Sequence, residues 1–186
     1  MNTLKCYRCR AIERSRAIRW PVNLLLIIVC LVSPAWANAA PGERLVVLPF
    51  EIVDNTPVPG GDDRNEKMLD TITRFIARNI KEAGLFDVVS QAEVNEAVSA
   101  ARLGTYIHTC NHCEYDLAKK VAGDKVMTGW IYKMSVLVLT LHIEVKDVAG
   151  EKTLISKAYD FRGDNEKAWL RAAKYMVRDL AEMLAK

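Results

Sequence analysis

The residues that could do chemistry crowd into one stretch, "YIHTCNHCEYDLAKKVAG" (106–123). His108, Cys110, His112 and Cys113 fall within six positions. Two imidazoles and two thiols suit zinc or copper. The spacing is H-x-C-x-H-C, however, and all four ligands would have to converge from consecutive residues. Structural zinc sites draw ligand pairs from two separated segments, and the remaining downstream histidine, His142, lies on a strand face. Covalent haem attachment requires CxxCH, and Glu114 follows Cys113.

Two thiol readings stand beside the metal reading. A helix follows the pair, and a helix N-terminus stabilises a thiolate, with Cys110 as the attacking thiol. The acid Glu114 opposes that, and no cis-proline loop is recognisable. A local Cys110–Cys113 disulfide instead braces the start of the helix, contributing at most roughly 2 kcal/mol by loop entropy. The histidines, with Tyr106 and Trp130, are then candidate interface residues, since aromatic side chains beside a rigid loop make good anchors.

The compartment bears on this choice. Residues 1–37 read as a signal peptide: six basic residues against the single acid Glu13, an apolar core "VNLLLIIVCLV" (22–32), then "SPAWANAA" with small residues placed for cleavage after Ala37, or alternatively after Ala39. The apolar run is short of the about 20 residues that span a bilayer. Residues 38–186 then form one exported, periplasmic α/β domain, with no membrane span once the signal is cleaved. Of the five cysteines, Cys6, Cys9 and Cys30 leave with the signal, so Cys110 and Cys113 have only each other, where disulfides persist. The formal charge of +3 belongs to the signal: 20 basic and 22 acidic residues remain, a net −2. That removes the argument for nucleic acid as a partner.

The elements that must position these residues follow from periodicity. "ERLVVLPFEI" (43–52) is a buried strand and 53–63 a loop. A helix from about Asn65 to Ala83 carries Met68, Leu69, Ile72, Phe75, Ile76 and Ile80 on one face, and Gly84 ends it. Residues 85–90 form a strand. Ser90 caps a helix over 91–102, with Glu93 completing a capping box. A loop (103–113) precedes a short helix (114–122). Strand 125–134 is followed by strand 135–147, which alternates cleanly, then by a turn at 149–150 and a return strand at 152–162. A last helix runs from about Asn165 to the end. The order is β-α-β-α-α-β-β-β-α, a single mixed sheet with packed helices. Asp62, Asp63 and Glu66 could bind a cation, but at the start of the first helix they favour its N-terminus electrostatically. "PVPGG" lacks the ending of a phosphate loop, there is no GxSxG, and no catalytic residue set stands out.

"HTCNHCEYDLAKKVAGDKVMTGWIYKMSVLVLTLHIEVKDVAGEKTL" and "FRGDNEKAWLRAAKYMVRD" resemble a family of bacterial secreted proteins of unknown function. Its pattern is a CxxC segment leading into "DLA…GAD", a "G-W-x-x-K-x-S" strand, a "D-x-x-x-G" hairpin and a closing "RG-x-x-x-x-x-W" helix. The similarity covers most of 43–180, and "GDK" at 123–125 departs from "GAD". More distantly, "LVVLPFE…LDTITRFIARNIKEAGLFDVVS" is similar to the amino-terminal domain of the Tol–Pal translocation protein and to the periplasmic domain of the curli-secretion channel family. Those resemblances imply an α/β envelope adaptor that binds another periplasmic or envelope protein, or assembles with copies of itself, without catalysis and with no expected cofactor. The other function that these residues allow is a small metal-binding or thiol–disulfide redox protein built on Cys110 and Cys113.

Overall fold

The computed structural model describes residues 42–57 and 60–185. The expected signal peptide and its cleavage site lie outside the described residues. The elements are β1 (Arg44–Val47), β2 (Glu51–Asp54), α1 (Gly61–Glu82), β3 (Asp87–Val88), α2 (Gln91–Ala101), a 3-10 turn (Ile107–Thr109), α3 (Cys113–Lys120), β4 (Lys125–Lys133), β5 (Val138–Asp147), β6 (Lys152–Arg162) and α4 (Glu166–Leu184).

They build one mixed sheet in the order β3-β1-β4-β5-β6, with β2 also on β4. β1 and β2 run parallel to β4, while β4, β5 and β6 form an antiparallel meander. The expected single mixed sheet with packed helices is what forms. α1 and α4 cover one face, burying Ile72, Ile76, Ile80, Trp169, Met176 and Leu180 against Met127, Ile131, Leu141 and Ile143. On the other face a smaller cluster gathers Val94 of α2 and Leu117 and Ala118 of α3 over Val46, Leu48 and Val126.

The strand expected over 43–52 is broken in two, and the break positions the site described below. Leu45 pairs with Lys125 and Val47 with Met127, but Glu51 pairs with Trp130. Four residues on the first chain therefore oppose three on β4, a one-residue bulge around Pro49. Leu48 N–H still donates to Met127 O (3.0 Å). Phe50 N–H leaves the ladder and donates to Thr73 Oγ1 (3.0 Å) on α1. The Phe50 ring lies where Gly129 carries no side chain: a Cβ there would stand 2.1 Å from it. Because side chains alternate along a strand, one extra residue exchanges the faces. Leu45, Val47 and Phe50 join the α1/α4 core, and Glu51 turns to the opposite side.

Other differences are local. α1 starts at Gly61, not near Asn65, because Gly60 adopts a left-handed φ of 70° and Asp62 and Asp63 fit the positive end of the helix. Ser90 occupies the N-cap of α2 but its side chain makes no capping hydrogen bond, so the expected capping box is not formed. β3 is two residues long, shorter than the 85–90 strand. β5 begins at Val138, since Ser135 Oγ accepts from Leu137 and Val138 N–H and holds 134–137 as the turn. Asn165 caps α4, its side-chain oxygen accepting from Ala168 N–H (3.0 Å).

Candidate functional site

Glu51 is the fixed point of the site. Its Oε1 accepts from Ile107 N–H (2.6 Å). Its Oε2 accepts from His108 N–H (3.0 Å) and from His108 Nδ1–H (2.7 Å). The two backbone donors belong to the first residues of the 3-10 turn, whose N–H groups have no partner within the turn. A carboxylate from another element thus caps the turn and locks the imidazole above the sheet, using charge-assisted bonds.

The imidazole lies on Trp130. The ring centroids of His108 and Trp130 are 4.8 Å apart with planes 12° from parallel. On its other face Trp130 stacks on His142, at 4.9 Å and 3°. Sheet register explains the alignment, since Glu51 pairs with Trp130 across β2 and β4, and Trp130 with His142 across β4 and β5. Tyr106 extends the row, its ring 5.4 Å from that of His108, and is half exposed. His142 is held below the ordinary imidazole range by burial first and also by its neighbour His108, while Asp160 and Glu144 pull the other way.

The disulfide end of the loop is built separately. Cys110 and Cys113 are bonded, with Cα atoms 5.8 Å apart. Cys113 is the first residue of α3, and His112 before it takes a left-handed φ of 67°. His112 Nδ1 lies 3.3 Å from Glu151, which also binds Lys119 (2.9 Å). α3 is anchored to the sheet by buried Glu114, which pairs with Lys146 at 2.8 Å. Burial would lower the Lys146 ammonium, but Glu114 and Glu144 outweigh it and raise it.

Of the sequence candidates, Tyr106, His108 and Trp130 therefore come together, and His112 does not join them. Nor do the four residues considered as metal ligands converge: His108 turns to Glu51, His112 to Glu151, and the cysteines to each other. Among the described residues no three His, Cys, Asp or Glu side chains are grouped to hold a metal ion.

Two features were not found from the sequence. Glu51 falls inside the run expected as one buried strand over 43–52, and only Pro49, two positions before it, hints at the bulge that redirects it. The second is a buried ionic knot. Lys133 Nζ is fully buried and contacts Asp54 (2.9 Å) and Asp164 (3.0 Å). Asp164 also binds Arg64 (2.8 Å), and Asp54 accepts from Asn65 (3.2 Å). Burial alone would lower the Lys133 ammonium, yet the two carboxylates hold it above its ordinary value. The knot ties the ends of β2 and β4 to the start of α1 and the turn before α4.

The chain is similar to solved structures, one of them with a TM-score above 0.5. The crystal structure of lipoprotein GNA1162 from Neisseria meningitidis aligns with a TM-score of 0.51 at 18% identity, covering 77% of this chain and 96% of that one. The LpoB C-terminal domain from Salmonella enterica gives 0.42 at 12%, over 67% of this chain and 85% of that one. TolB from Acinetobacter baumannii gives 0.42 at 13%, over 74% of this chain and 28% of that one. No curated protein matches. Over residues 43–180 the sequence matches the DUF3280 family model, described as "Protein of unknown function (DUF2380)", and the chain belongs to that family.

Proposed function

We propose that this chain is a non-catalytic binding module of the bacterial periplasm, engaging another envelope protein through the surface around Tyr106, His108, Trp130 and His142. The observation that carries the reading is the clamped stack. Glu51 commits a carboxylate, three hydrogen bonds and a backbone bulge to holding a loop and an imidazole still. Rigid aromatic anchors beside a half-exposed tyrosine are what an interface hot spot requires, because little side-chain entropy is left to lose on binding. His108 Nδ1 is already engaged and Glu51 serves as a structural acceptor, so the arrangement is better suited to presentation than to proton transfer. The basic, apolar amino-terminal segment and the lipoprotein among the structures sharing this fold support the envelope setting.

The test is site-specific photo-crosslinking in cells. A photoreactive residue at Tyr106 should trap one discrete partner, identified by mass spectrometry. The same residue at exposed Lys157 on β6 should not, and Trp130→Ala should abolish the Tyr106 adduct. Equal crosslinking from both positions, or an adduct indifferent to Trp130→Ala, would refute the reading.

A further inference from the structure

The opposite side of the molecule, where α1 and α4 lie on the sheet, has a chemistry of its own. From Thr71 to Lys81 and from Lys167 to Arg178 the two helices carry seven cations and no acid, in a domain whose net charge is −2 without residues 1–37. The helices run side by side in the same direction. Arg64 near the start of α1 binds Asp164 just before α4 (2.8 Å), and further along Phe75 and Leu170 line the same groove. That groove has a volume of about 620 Å³, runs between α1 and residues 88–91 with Leu170 at its α4 end, and is flanked by Arg74, Arg78 and Lys81. A neighbouring one of about 560 Å³ shares Phe75 and Leu170 and is flanked by Lys167, Arg171 and Lys174, with Glu166 as its one acid.

The cations are exposed, and the floor residues Phe75 and Leu170 are half-buried between the helices. Arg74 and Arg78 have acidic neighbours one turn away, Asp70 and Glu82, in exposed pairs of the weak kind that a partner's carboxylate can displace. Lys81, Lys167, Arg171 and Lys174 form no salt bridge among the described residues.

We infer that this face is a second docking surface, whose occupant is an acidic protein segment with bulky apolar anchors. Charge complementarity selects an anion-rich partner and steers its approach. Concavity selects a peptide over a membrane. A planar anionic bilayer would meet the rim of cations and leave the recessed floor uncovered, whereas an extended or helical segment can lower an apolar side chain between α1 and α4 while its carboxylates meet the rim. The stacked site lies on the opposite face of the sheet, so the two surfaces can be filled together. This inference does not depend on the function proposed for that site.

The test uses the full exported chain and two probes. The first is a random linear peptide library, selected on the wild type and counter-selected on Arg171→Glu/Lys174→Glu. The expected survivors combine Asp or Glu with Leu, Ile, Phe or Trp. They should lose at least about tenfold in affinity for Arg171→Ala/Lys174→Ala and on raising salt. Both positions are exposed, and an unchanged melting temperature would show that these variants fold. The second probe is vesicles of phosphatidylglycerol and phosphatidylethanolamine. If no peptide depends on Arg171 and Lys174, or if the survivors lack acidic residues, the inference falls. Vesicle binding abolished by the same variants, without such peptides, would overturn it in favour of a membrane surface.

Discussion

The carboxylate of Glu51 takes both the backbone N–H and the ring Nδ1–H of His108, a residue 57 positions away. This pairing, with the bond from Ile107, fastens the 3-10 turn to the sheet. Hydrogen bonds to a charged group contribute about 1.5–3 kcal/mol each, and unpaired donors near the surface recover part of that from water. Glu51→Ala should therefore destabilise the domain by about 2 kcal/mol in urea unfolding. The near-UV circular dichroism from Trp130 should weaken as His108 leaves its face. Glu51→Gln should fall between the two. An unchanged urea midpoint and Trp130 signal in Glu51→Ala would mean that the turn is held by something else.

His142 makes acid stability a readout of the stack. Its imidazole sits below the ordinary range of about 6.5, chiefly through burial. A histidine with a lowered folded pKa binds protons less readily folded than unfolded. Its contribution is complete above about 6.5 and is lost as pH falls through the lower folded value. Asp160 and Glu144 on the same sheet limit the shift, and His108 adds to it. Urea midpoints measured across that window should fall with pH, and His142→Gln should flatten the slope. Nuclear magnetic resonance titration of the ring should give a midpoint below that of a model peptide. A midpoint at or above it would show that burial and His108 do not outweigh Asp160 and Glu144.

These two features show where sequence reasoning reached and where it stopped. Tyr106, His108 and Trp130 could be nominated because aromatic residues beside a constrained loop signal an interface locally. The alternation of Leu139, Leu141, Ile143 and Val145 also gave β5 its faces, and so placed His142 on the side away from the main core. That His142 stacks on Trp130 depends on strand register, which is fixed by the turn at 134–137 and by packing far along the chain. Glu51 was lost for a sharper reason. In an unbroken 43–52 strand it would share a face with Leu45 and Val47, and only the one-residue bulge reverses this. The phase change rests on Thr73 and Gly129, which belong to other elements. Lys133 escaped notice because the polar end of a strand normally meets water, and its partners Asp54 and Asp164 are remote in sequence.

Removing Lys133 should be far more damaging than removing any surface lysine. Lys133→Met leaves Asp54 and Asp164 without their shared ammonium, and breaking one side of a buried pair costs about 3–5 kcal/mol. Burial would raise the Asp54 carboxyl, but Lys133, with the Thr56 N–H and Asn65, outweighs it and holds it below its ordinary value. The Asp54 contribution is thus present above about 3.9 and lost as pH falls through the lower folded value. In Lys133→Met, chemical unfolding at neutral pH should show the full loss, and acidification should restore part of it by neutralising the stranded carboxylates. Exposed Lys157→Met should change little. A cost for Lys133→Met within the range of the Lys157 control would mean that the knot does not hold the ends of β2 and β4.

The Cys110–Cys113 bond and the Glu51 clamp act on opposite ends of the loop, so their losses should separate. Cys110→Ser/Cys113→Ser should lower stability by no more than about 2 kcal/mol and leave the Trp130 signal in place. Reduced wild-type protein, dialysed against zinc and then against buffer, should retain no more metal than the double variant, because Glu51 holds His108 and Glu151 lies against His112. Stoichiometric zinc in the reduced protein alone, by elemental analysis, would reinstate the four-ligand reading of His108, Cys110, His112 and Cys113.

Gly129 is where the site can be broken without touching it. Its missing side chain admits the Phe50 ring, and an added Cβ would approach Phe50 Cε1 to 2.1 Å. That ring is buried between β4 and α1, so Gly129→Ala should cost about 1–3 kcal/mol through overpacking. The strain falls on the bulge. If Phe50 is displaced, its N–H loses Thr73, and Glu51, the next residue, loses the orientation that lets it reach Ile107 and His108. Gly129→Ala should thus weaken the Trp130 near-ultraviolet signal as Glu51→Ala does, although residue 129 points to the opposite face. Phe50→Leu, which vacates part of the ring's space, should restore both stability and signal in the Gly129→Ala background. Failure of that second change to rescue the first would separate the bulge from the clamp.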